Sequence, residues 1–83
     1  MAPVQESPCE MMRRVAKEQK AEIRRTEKHA DELREKITAL EQQPHPDPAA
    51  IAALRQAVEG LERKLEEDRL SLSTLEDVIT ENC

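Results

Sequence analysis

No Phe, Tyr or Trp occurs anywhere in this chain of 83 residues. Aromatic side chains give compact cores their largest buried areas, so little supports a rounded interior. Glycine occurs once, and Glu, Lys, Arg, Ala and Leu dominate, which is the composition of long helices and coiled coils. No hydrophobic run approaches the ~20 residues that a membrane span requires. The N-terminus lacks the charged and apolar blocks of a signal peptide. A cytoplasmic protein is the default expectation, and a native bridge between Cys9 and Cys83 would argue against it.

What is present is a repeat. In the first half Cys9, Met12, Ala16, Gln19, Ile23, Thr26, Ala30, Leu33, Ile37 and Leu40 recur at steps of alternately three and four. In the second half Ile51, Leu54, Val58, Leu61, Leu65, Asp68, Leu72, Leu75, Ile79 and Asn82 do the same. Such a seven-residue repeat is the seam of a coiled coil. Folding the chain back at its proline-rich middle sets Ile37 on Leu54, Leu33 on Val58 and Ala30 on Leu61. The same register continues through Thr26–Leu65, Ile23–Asp68, Gln19–Leu72, Ala16–Leu75 and Met12–Ile79 to Cys9–Asn82. A chain with 37% charged residues and no aromatics also suits disorder. The sustained repeat argues against disorder from Ser7 to Asn82 and leaves residues 1–6 as a disordered tail.

Local signals agree with a hairpin. Ser7-Pro8-Cys9-Glu10 reads as a helix start, with a capping serine, a first-turn proline and a glutamate three residues on. The first helix is expected over 8–43, ended by Pro44. Three prolines stiffen the connector at 44–47 and just beyond it, and Asp47-Pro48 opens a second helix expected over 48–82. Equal arms and a short connector predict an all-α antiparallel helical hairpin. Glu10–Gln43 carries nine basic against eight acidic residues, whereas Asp47–Cys83 carries four against nine. Arms of unlike charge attract each other.

Residues beside the seam check the register. On one flank the hairpin opposes Lys20 to Glu76, Glu27 to Arg69, Arg34 to Glu62 and Glu41 to Arg55, each pair opposite in sign. Slipping by one heptad would oppose Glu27 to Glu62 or Glu76, and Arg34 to Arg55 or Arg69. On the other flank Val15 falls beside Val78.

Few residues suggest chemistry. Cys9 and Cys83 meet at the open end, where a bridge would staple the arms; unpaired thiols and interchain bridges are the alternatives. Gln19, Thr26 and Asp68 interrupt the seam, and Asp68 needs donors, for which Gln19, Thr26, Lys20 and Lys64 are candidates. This polar layer reads as a register device before it reads as a ligand site. His45 and Asp47 in the turn and His29 on the flank read as surface decoration, and no metal-ligand, phosphate-loop or nucleophile spacing occurs. No cofactor and no metal are expected. Residues 13–28 are locally basic, through Arg13, Arg14, Lys17, Lys20, Arg24, Arg25 and Lys28. Without aromatics, and beside an acidic arm, they suit a solvated or partner-facing patch better than nucleic acid.

Off the seam, Ala53, Ala57 and Gly60 form a small-residue stripe, while Met11, Val15, Leu70 and Val78 add apolar groups that a lone hairpin leaves uncovered. A second hairpin would cover them in a four-helix bundle. The expectation is a non-enzymatic protein-interaction or scaffolding module that docks a helical partner or self-associates through these seven residues. A small regulator binding a nucleotide or nucleic acid through the basic stretch is the alternative. A redox-dependent clip through Cys9 and Cys83 is a weaker one.

Overall fold

A computed structural model describes residues 6–83. Two helices, α1 over Pro8–Glu41 and α2 over Pro48–Asn82, pack antiparallel as a single hairpin. Its extents of 64 × 31 × 14 Å are those of a rod one helix thick in its narrowest direction.

Both helix starts follow from their capping residues. Ser7 is extended, at φ −67° and ψ 157°, and its hydroxyl accepts from the Glu10 N–H at 3.1 Å. Asp47 does the same for α2, its Oδ1 accepting from Ala49 N–H at 3.0 Å and Ala50 N–H at 3.2 Å. A proline follows each cap, where the missing N–H costs no intrahelical bond. Just before the first helix, Glu6 places its carboxylate on Arg14 at 2.9 Å. Residues 1–5 of the expected tail lie outside the described residues.

Helix α1 ends at Glu41, two residues short of the expected Gln43. The Gln42 N–H still reaches Thr38 O at 3.2 Å, but the Gln43 N–H tightens onto Leu40 O at 3.3 Å. Pro44 disfavours helical backbone at the residue before it, so the helix closes in a tightened last turn.

The interior is a strip. Among the described residues Ala16, Ile23, Thr26, Ala30, Leu33, Ile37, Ile51, Val58 and Leu65 are buried, and every one belongs to the predicted seam. Leu33, Ile37, Ile51 and Val58 form its densest cluster, with Leu40, Leu54 and Leu61 packed against it. Ala30 is 0% exposed, the most completely covered of these buried residues. Toward the open end the seam is only half covered: Met12, Leu72, Leu75 and Ile79 stay intermediate. Two helices alone offer each seam side chain a single facing helix, so complete burial needs flanking residues that fold over it.

Candidate docking surface

The hairpin has two unlike flanks. On the first, all four cross-arm pairs form. Arg69 meets Glu27 at 2.7 Å, Arg34 meets Glu62 at 2.8 Å, Arg55 meets Glu41 at 2.8 Å, and Lys20 approaches Glu76 to 3.9 Å. Their reversed order along the two arms makes the hairpin antiparallel and fixes its register. Arg34 also takes Asp31 at 2.9 Å. A shallow groove of about 600 Å³ runs along this flank, and of the charged side chains that line it Glu27, Asp31, Arg34, Glu62 and Arg69 already pair with one another. Its functional groups are therefore largely committed within the chain.

The second flank is different at its two ends and its middle. By helical phase it carries Met11 and Val15 on α1 and, on α2, Ala53, Ala57 and Gly60 near the turn and Val78 near the open end. Met11 is 47% exposed and Val78 38%. Val15 and Gly60 are half-buried, while Ala53 and Ala57 are exposed. Leu70, 70% exposed, falls on the back of α2 rather than on this flank. Six of the seven candidate docking residues thus share a side of the hairpin, and Leu70 stands apart from them.

Midway along this flank lies a polar cluster. The Lys64 ammonium donates to Asp68 Oδ2 at 2.9 Å, to Glu22 Oε1 at 3.2 Å and to Thr26 Oγ1 at 3.5 Å. The donor for Asp68 is therefore Lys64, one turn back on the same helix. Lys20 is turned to Glu76 on the opposite flank. Thr26 donates to the Glu22 carbonyl at 3.0 Å. Gln19 Oε1 is buried without a hydrogen-bond partner among the described residues. It borders a cavity of about 150 Å³ shared with Glu22, Lys64, Asp68 and Ser71. Asp68 keeps about a third of its side chain in solvent, so the seam holds no enclosed carboxylate at that layer.

Glu22 is the member that sequence reasoning missed. In register it opposes Ser71, and only the length of the lysine side chain carries Lys64 diagonally to it instead of to His29. Arg25 binds Glu22 at 2.8 Å. The hydrogen bond from Arg25, and then the one from Lys64, hold the Glu22 carboxyl below its ordinary range. Bonds to Asp68 and then Glu22 raise Lys64 above the usual lysine range. A lowered carboxyl contributes stability above its unfolded-state pKa and loses it as pH falls through the lowered folded-state value. Thermal melts of wild type and Glu22→Gln should therefore differ at neutral pH and converge in acid. A difference that persists after the carboxylates are protonated would contradict this ion network.

Cys9 and Cys83 form a disulfide at the open end, their Cα atoms 6.0 Å apart. His29 and His45 are exposed, and Asp47 is engaged as the α2 cap. Among the described residues no group of three or more His, Cys, Asp or Glu is placed to hold a metal ion. None of their helices is long and apolar enough to cross a membrane. Within the basic stretch Arg14 pairs with Glu6 and Glu18, Lys20 with Glu76, and Arg25 with Glu22. No known protein family, curated protein or solved structure matches the chain.

Proposed function

We propose that this hairpin is a non-enzymatic interaction module that docks a helix, from a second copy or another protein, on its open flank. The observation that carries the reading is apolar exposure off the seam. Met11 and Val78 stay partly exposed on that flank and Leu70 stands exposed on the adjoining back of α2, and exposed apolar groups of this kind mark interaction surfaces. The opposite flank carries four cross-arm ion pairs against the one from Lys64 to Glu22 here, which favours docking on this side. The Glu22–Lys64 contact supports the same reading, because both groups are held in their charged forms. A group poised for proton transfer is tuned the other way, toward neutral pH.

The test is a double substitution, Ala57→Glu with Leu70→Glu. It is expected to abolish association while leaving the helical circular dichroism intact, since both positions are exposed. Retention of the native assembly would show that docking uses another surface.

The Cys9–Cys83 bridge favours a second reading, a redox-dependent clip at the open end. It sits in the seam layer next to Met11 and Met12, so reduction would loosen the arms where the apolar flank begins. A lasting bridge also fits an oxidising compartment better than the cytoplasm. Identical partner binding by oxidised and reduced protein would remove the clip reading. The nucleotide or nucleic-acid alternative has less support, because three cations of the basic stretch are already paired with glutamates.

A further inference from the structure

Gly60 has no explanation inside this chain. It lies within α2 with no positive φ, and a Cβ added there would meet no described residue within 4 Å. Glycine is nonetheless one of the least favourable residues in a helix interior. Neither backbone conformation nor internal packing calls for it. What glycine permits at an open helix surface is the close approach of another backbone.

The residues around Gly60 say which backbone. Along the open flank of α2 a second repeat runs from Ala53 to Val78 in alternate steps of four and three, outside the seam and mostly exposed. Set antiparallel against its own copy about a twofold axis between Leu65 and Glu66, it pairs Ala53 with Val78, Ala57 with Thr74 and Gly60 with Ser71. The innermost layer pairs Lys64 with Glu67. Each of the three outer layers puts an Ala or Gly opposite a larger side chain, which keeps the spacing between the helices even. The innermost layer is opposite in sign and occurs twice by symmetry. The parallel arrangement would set Lys64 on Lys64 and Glu67 on Glu67, and would put small residues together at one end and Val78 on Val78 at the other.

We infer that α2 packs antiparallel on α2 of a second copy, with Gly60 at a point of close approach and reciprocal Lys64–Glu67 pairs flanking the twofold axis. The partner is a second copy of this chain, and the turns point to opposite ends of a four-helix assembly. The Lys64 ammonium, already shared by Glu22 and Asp68, turns toward the partner's helix as its stem lies along the interface. This inference rests on the docking reading above and names the occupant of that surface.

The experiment combines equal amounts of unlabelled and ¹⁵N-labelled wild-type protein and couples amines to carboxylates with a carbodiimide. The expected product is a peptide pair linking Lys64 to Glu67 with one chain labelled and the other not. Sedimentation of Gly60→Gln is the companion measurement. Glutamine favours helix over glycine and its Cβ meets no described residue within 4 Å, so the hairpin stays folded while dimer dissociation rises by at least about tenfold. A dimer that gives no mixed Lys64–Glu67 link and tolerates Gly60→Gln overturns the inference and points to another face. A wild-type monomer also overturns it; if that monomer still captures a foreign amphipathic helix, and the Ala57→Glu, Leu70→Glu variant does not, the docking reading survives alone.

Discussion

Reducing the Cys9–Cys83 bridge should lower the stability of the hairpin by about 4 kcal/mol. The two residues are separated by 74 positions, so the bridge removes most of the loop-closure freedom of the unfolded chain. In a domain of this size such a loss moves the thermal midpoint by roughly 20 °C. The effect should be large here because the open end is the weakest part of the seam, where Met12, Leu75 and Ile79 are only half-buried. The check is a melt of the oxidised protein beside the Cys9→Ser, Cys83→Ser variant. Equal midpoints would mean that the arms hold together at the open end without the bridge.

Truncating Leu33 to alanine should have an effect of similar size at the other end of the rod. Leu33 sits in the cluster with Ile37, Ile51 and Val58, and deleting a buried leucine side chain costs about 3 kcal/mol through lost transfer energy and a residual cavity. In a broad core neighbouring side chains relax into such a gap. In a single seam the only cross-arm neighbours belong to adjacent layers of one facing helix, so collapse means bringing the arms together locally. Leu70→Ala is the matched control. Leu70 is 70% exposed, and its truncation should leave the monomeric hairpin's denaturation midpoint nearly unchanged. Urea titrations of both variants decide the point, and an equal shift in the two would deny that the seam carries the fold.

Much of this architecture is legible in the amino-acid sequence because an antiparallel coiled coil couples few variables. Once Ile37 is set on Leu54, every later layer follows, and the flanking charges from Lys20–Glu76 to Glu41–Arg55 are determined with them. The caps at Ser7 and Asp47 are equally local, since a short polar side chain before a proline has little else to do. What was not legible depends on reach and competition. Lys64 could have turned to His29, and its choice of Asp68 and Glu22 reflects the greater attraction of two carboxylates for an ammonium. The end of α1 at Glu41 reflects a tightening turn that periodicity does not encode. Leu70 differs, because its place on the back of α2, away from Val78, follows from helical phase and is legible in the spacing itself. Gly60 is visible as a lone glycine in the sequence, yet only the structure reveals that no described residue lies within 4 Å of an added Cβ.

The flank that carries Met11, Val78 and the small residues of α2 is the feature on which the functional account depends. Light-scattering mass after size exclusion, run side by side on oxidised and reduced protein, tests it most directly. The account predicts twice the 9.5 kDa chain mass in both states, with the bridge acting as a local staple inside each hairpin. A monomer in both states would contradict self-association through this flank.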